Sequence, residues 1–404
     1  MSVQKFEIKF DNPACIYYAG QQVTGCVTLI TTKEKKIRGI CLCIEGEAEV
    51  KWTKSVEVVR DGKSETEYED YCANEIYAQM EVWLVGASHG DMVLPSGEHV
   101  YPFSYILPYN IPSSFEGSYG HVRYTVKVKV DRPWKFDYDC KVAFTVLTPL
   151  DLNLEPNMQE PVQNTKEKYL CCCCCRSGPI TLVANVLRGF VPGQKIAAVV
   201  ECDNVTSEEV SVKCYLEKIV TFRASCGYNT DTKEDESTVV MERLGTVGGH
   251  DSKTWTTNLT VPSLPASYLK YCECIDITYT FVVKGSFSGL HNAMKLNTEV
   301  IIGTIPLKNY FPSIVPLPPV FPCIPALPQV GYPPSPPLPP SFNEAIIASP
   351  SAPPVEPGTP YPDLPPPNYE ECMLSKGNIR NAEDSGFTYG TMDFAPRYPM
   401  YNFR

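Results

Sequence analysis

Two stretches of this chain hold residues whose types and spacing could do chemistry: five consecutive cysteines, Cys171-Cys172-Cys173-Cys174-Cys175, and the run Pro365-Pro366-Pro367-Asn368-Tyr369-Glu370-Glu371. The cysteines admit three readings. S-acylation would tie the chain to a membrane. A metal or redox site is a second, although an extended strand alternates its faces and cannot turn five adjacent thiolates toward one ion. The third is structural, a strand of small hydrophobes entering a folded unit. In the proline run, φ is fixed at about −65° and a polyproline II helix forms in advance, so an aromatic-lined groove binds it at little ordering cost. Pro366, Pro367 and Tyr369 spell PPxY. This is the pattern a WW domain takes, one aromatic pair clasping the prolines and a second pocket receiving the phenol.

Weaker motifs surround it. Pro339, Pro340 and Phe342 form a degenerate copy in which Phe replaces Tyr, and the lost hydroxyl bond, worth about 1 kcal/mol, leaves that copy weak or inactive. Pro350, Ser351, Ala352 and Pro353 spell PSAP, the tetrapeptide bound by the ubiquitin-variant domain of an ESCRT-type sorting complex. Catalytic chemistry has no comparable constellation. The histidines, His89, His99, His121, His250 and His291, do not pair with Cys or Asp at the spacing of a triad or a metal cage. No GxSxG, HExxH or phosphate-cradling glycine loop occurs. The expectation is a non-enzyme with no catalytic, cofactor-binding or metal residues and no cofactor.

These residues must be carried on something. The chain has 404 residues, enough for two domains and more. Of its 38 prolines, 25 lie at or after Pro306, so the composition changes sharply there. Asn309 to Arg404 reads as a disordered proline-rich tail that cannot bury enough apolar surface to fold, with Tyr389, Phe394, Tyr398 and Tyr401 available to dock on a partner. No secretory leader or apolar span of about 18 to 20 residues is visible, which predicts a cytosolic protein with its 18 cysteines reduced. A net charge of −11 argues against nucleic acid as a partner.

Before the tail, hydrophobic residues alternate with polar ones at period 2 with turn signals between the runs, and no period of 3.6 is sustained, so the chain reads as all-β sandwiches. In Val122 to Val130 the valines take one face and Arg123, Lys127 and Lys129 the other, a basic strand able to meet acidic or phosphorylated cytoplasmic tails. Landmarks recur in order. Phe190-Val191-Pro192-Gly193-Gln194 echoes Tyr17-Tyr18-Ala19-Gly20-Gln21, and Val261-Pro262-Ser263-Leu264-Pro265-Ala266-Ser267 echoes the stretch from Leu107 to Ser114, the signature of a duplicated unit.

The series Leu94-Pro95-Ser96-Gly97-Glu98-His99, Leu107-Pro108, Pro112-Ser113-Ser114-Phe115-Glu116-Gly117, Gly120-His121-Val122-Arg123-Tyr124 and Arg132-Pro133-Trp134-Lys135-Phe136-Asp137 resembles the N-terminal domain of the α-arrestins, the arrestin domain-containing proteins. Gly178-Pro179-Ile180-Thr181-Leu182 resembles the opening of their second domain. The resemblance implies two tandem arrestin-type, immunoglobulin-like sandwiches. We assign residues 1–150 to the first, 151–177 to a linker with the cysteine run, 178–307 to the second and 308–404 to the tail. It also supports the structural reading of the cysteines, since the family has a Cys-containing segment at this point.

For function, the resemblance implies an adaptor that links membrane receptors or transporters to WW-domain HECT ubiquitin ligases, promoting ubiquitination, endocytosis and endosomal sorting. It would be cytoplasmic, recruited to the plasma membrane and endosomes, and peripherally membrane-associated. Alternatives are a thioredoxin-interacting redox regulator and a retromer-like trafficking scaffold.

Overall fold

The computed structural model describes residues 3–60, 63–134, 136–172, 175–287, 292–308, 367–372, 376–381, 384 and 388–403. The PSAP motif, the degenerate PPSF motif and Pro366 lie outside these residues, as do Cys173 and Cys174. Every regular element among the described residues is a β-strand. No helix there is long and apolar enough to cross a membrane.

The first sandwich sets a three-stranded sheet, Val3–Phe10, Gln22–Thr31 and Gly97–Ile106, against a larger one. The larger sheet runs in the order Lys63–Gly86, Gly39–Arg60, Gly120–Asp131, Tyr138–Leu147, Ile16–Tyr18. Alternation dictates which face is buried. On Gly120–Asp131, Val122, Tyr124, Val126, Val128 and Val130 are all sealed in the core, with Phe144 and Ile44 beside them. Each such side chain stabilises the fold by about 1.5 to 3 kcal/mol when removed from water. The strands Gly39–Arg60 and Lys63–Gly86 form one long hairpin, paired from Gly39↔Gly86 to Arg60↔Lys63, which is buried at its Gly39 end and exposed toward Arg60 and Lys63.

The second sandwich repeats the plan. Pro161–Cys172, Cys175–Leu187, Ala198–Asn204 and Asp251–Thr256 form one sheet; Asn229–Val247, Val210–Cys226, Ile275–Phe287, Met294–Ile302 and Gly189–Phe190 form the other. Its inner sheet continues that of the first sandwich through the pair Ser225↔Cys72.

The echoes in the sequence correspond to equivalent hydrogen bonds. Gln21 Oε1 accepts from the Tyr18 N–H at 2.8 Å, and Gln194 Oε1 from the Val191 N–H at 3.0 Å. Gly20 and Gly193 both take left-handed backbone, φ 83° and 90°. The buried Tyr124 hydroxyl donates to Pro112 O at 2.7 Å, and the Tyr279 hydroxyl to Pro265 O at 2.8 Å. Ser114 and Ser267 each accept a strand N–H, from Val146 and Ile302, at 2.9 Å.

Two expectations need correction. The polar stretch 151–168 is not all linker: from Pro161 it is a strand that pairs with Cys175–Leu187, from Pro161↔Leu187 to Cys172↔Cys175. Its polar residues are tolerated because it is the outermost strand of its sheet. Of the cysteine run, Cys171 and Cys172 close the first strand of this hairpin and Cys175 opens the second. The far end of the tail is likewise packed: Asn368–Glu371, Gly377–Asn378, Thr388–Tyr389, Asp393–Phe394 and Arg397–Met400 are short strands lying on the sandwiches. Composition argues against this segment folding alone, and its described residues pack on the sandwiches.

Candidate functional site

The PPxY tyrosine sits on the first of these strands. Asn368–Glu371 pairs antiparallel with Arg397–Met400, placing Tyr369 opposite Pro399. This is a non-hydrogen-bonded position of the ladder, where Pro399 sits without loss of a ladder bond: Cys372 N–H donates to Pro396 O at 2.9 Å, while the Arg397 N–H turns outward to Thr145. Tyr369 is 36% exposed, and its hydroxyl lies 2.8 Å from that of Tyr18 on the first sandwich. Ser263 of the second sandwich donates to Glu370 O at 2.9 Å, and Arg397 pairs with Glu371 at 3.0 Å.

The partner strand anchors the whole segment. Tyr398 is 1% exposed and donates its hydroxyl to Ser114 O at 2.9 Å, packing with Ile16, Leu147 and Cys372. Tyr401 is 4% exposed and donates to Thr304 O at 2.9 Å, packing with Leu152, Met158, Val191 and Leu307. One tyrosine is therefore rooted in each sandwich, and the segment straps the two together. Burial pushes both phenols above their usual range, so both stay neutral donors. At Gly193 a Cβ would meet Tyr401 O at 1.9 Å, so only glycine fits under the strap.

The basic strand is covered by the same segment. Arg123 makes two bonds to Glu116, at 2.6 and 2.7 Å. Lys127 reaches Asp384 at 2.6 Å, and Lys141, opposite it on the neighbouring strand, reaches the other Asp384 oxygen at 3.4 Å and Ile379 O at 2.9 Å. Lys129 pairs with Asp137 at 3.0 Å. Burial tends to raise the Asp384 acid, but Lys127 and Lys141 outweigh it and hold the carboxyl below its usual range. The expectation of three cations facing cargo is corrected to this extent: each lies against a carboxylate of this chain, Arg123 on Glu116, Lys129 on Asp137, and Lys127 on Asp384 of the C-terminal segment. Beside them a cleft of about 240 Å³ runs between Glu45, Glu47, Glu49, His121, Lys141 and Arg380.

Sequence reasoning missed Glu75, Cys272 and Cys274, whose donor atoms all lie within 4.8 Å of one another. The Cys-x-Cys spacing was visible; the glutamate, about 200 residues upstream, was not.

Residues 6–153 match the model of the arrestin (or S-antigen) N-terminal domain, and residues 177–307 that of the arrestin C-terminal domain. Arrestin domain-containing protein 17 of Caenorhabditis elegans is 28% identical over 99% of both chains. Arrestin domain-containing protein 1 of Mus musculus is 29% identical over 69% of this chain and 60% of its own length, and arrestin domain-containing protein 4 of the same species 28% over 73% and 70%. This two-sandwich protein belongs to the arrestin family and is of the α-arrestin, or arrestin domain-containing, type.

Proposed function

We propose that this chain is a non-catalytic trafficking adaptor: the paired sandwiches hold the cytoplasmic tails of membrane receptors or transporters, and Pro366, Pro367 and Tyr369 recruit a WW-domain HECT ubiquitin ligase. The observation that carries this reading is Tyr369, exposed on a strand of only four residues and held to the first sandwich by the hydroxyl of Tyr18. The mechanism is proximity. The adaptor raises the concentration of ligase at the cargo, to the millimolar range for a short tether, so weak single contacts suffice. Ubiquitination, internalisation from the plasma membrane and endosomal sorting follow, and Pro350 to Pro353 are the stretch available to an ESCRT component. Acylation of Cys171 to Cys175 would add a membrane anchor.

A WW domain reads an extended polyproline II segment, so Asn368–Glu371 must leave its ladder before it is bound. The free energy of that release is subtracted from the affinity. Ligase pull-down with purified full-length chain tests the reading. Tyr369→Ala should abolish WW binding and leave cargo binding unchanged. Tyr18→Phe, which removes the hydroxyl holding Tyr369, should strengthen WW binding by about 2- to 10-fold, the equivalent of one ordinary hydrogen bond. Ligase retained by the Tyr369→Ala chain refutes this role for the motif.

A further inference from the structure

The two sandwiches meet at a set of donor atoms that no adaptor function requires. Cys272 and Cys274 precede the strand Ile275–Phe287, in a stretch that passes through left-handed backbone at Tyr268 (φ 54°) and Tyr271 (φ 71°). Neither residue is glycine, so the backbone there is held in a sparsely populated conformation. The result turns both sulfurs to one side, 3.7 Å apart. Glu75, from Lys63–Gly86 of the other sandwich, reaches across: its Oε1 accepts from the N–H of Glu273 at 3.1 Å and of Cys274 at 2.6 Å. The Tyr77 hydroxyl donates to Glu75 Oε2 at 2.7 Å and also bonds the Cys272 thiol. Cys274 is buried and the other two ligand residues are half-buried, so the cluster is shielded yet open to entry.

The spacing is that of a coordination polyhedron. Zinc–sulfur bonds of about 2.3 Å at a tetrahedral angle place two sulfurs about 3.8 Å apart. We propose that Cys272, Cys274 and Glu75 bind a thiophilic divalent cation of the zinc class, with the Tyr77 hydroxyl or a water as fourth ligand, and that the ion clips the two sandwiches together. Two thiolates and one carboxylate select zinc over magnesium or calcium, which take oxygen alone. Binding would displace the thiol protons into solvent.

A second Cys-x-Cys pair shows what the cluster has that others lack. Cys41 and Cys43 have sulfurs 3.9 Å apart, and Glu81 approaches Cys41 at 3.5 Å. There the three donors do not all come within 4.8 Å of one another.

The test uses the reduced full-length chain, stripped of metal and titrated with Zn²⁺ alone and with Co²⁺ alone, in a background where Cys171 to Cys175 are all serine. One equivalent of cobalt should give a thiolate charge-transfer band, and zinc should displace it and raise the melting temperature. Cys272→Ser and Cys274→Ser should each abolish the band. Glu75→Gln, which keeps an oxygen for the two backbone N–H groups and so preserves the fold, should weaken Zn²⁺ by at least about tenfold. The proposal is overturned if the bound equivalent survives in the Cys272→Ser/Cys274→Ser chain or is indifferent to Glu75→Gln, or if the two cysteines are recovered as a disulfide that takes no metal.

Discussion

His121 shows how a single side chain ties stability to acidity. It lies beneath the C-terminal segment, and burial, aided by Arg123 and Lys141, lowers its pKa to about 3; the Glu49 carboxylate at 3.9 Å pulls the other way and loses. In the unfolded chain the same imidazole titrates near 6.5. Between these values the unfolded state binds more protons, so the contribution is fully present above about pH 6.5 and is lost as pH falls toward 3, at up to about 1.4 kcal/mol per unit. Urea unfolding between pH 7 and 4.5 should show this slope, and His121→Gln should flatten it. In the sequence His121 is one of five histidines without a triad or metal-cage spacing, and nothing local shows that it is shielded from water. Cys272 and Cys274 were equally visible as letters, but a metal-binding reading needs the third donor, and no local spacing points to Glu75.

At the scale of elements, the strand Gly120–Asp131 was readable because its instruction is local. Valine and charge alternate, and a one-residue slip would turn every valine to the surface. What covers its charged face was not readable. Tyr398 and Ser114 are 284 residues apart, and Lys127 and Asp384 are 257 apart. Prolines and tyrosines give the strap no periodicity of its own, so its strands exist only where the sandwiches offer carbonyls and ammonium groups. Asp384→Asn tests that dependence. It leaves the buried Lys141 and the half-buried Lys127 short of an anion, and should cost about 3 kcal/mol. Limited proteolysis should then cut first within residues 376–403, while the sandwich strands stay protected in hydrogen exchange.

Across the whole molecule, duplication was the strongest signal in the sequence, since each sandwich needs the same glycine turn, the same glutamine and the same buried tyrosine to close its ends. Their union was not, because the contacts that join them pair residues far apart in the chain: Ser225 beside Cys72, Glu75 beneath Cys274, Lys54 on Asp231, Ser118 on Asp235, Tyr119 against Phe222, and the strap. Deleting residues 367–404 should expose Ile16 and Leu147 on one sandwich and Val191 and Leu307 on the other, lowering stability by on the order of 5 kcal/mol. Guanidinium unfolding should separate into two transitions where the intact chain shows one. The strap's double rooting has a mechanical corollary. Tyr398 and Tyr401 are three residues apart yet moored to different bodies, so any cargo whose grip tilts one body against the other must tear a mooring loose. The strand beside Tyr369 would slacken with it, and the recruiting signal would be raised only by an adaptor already carrying a load.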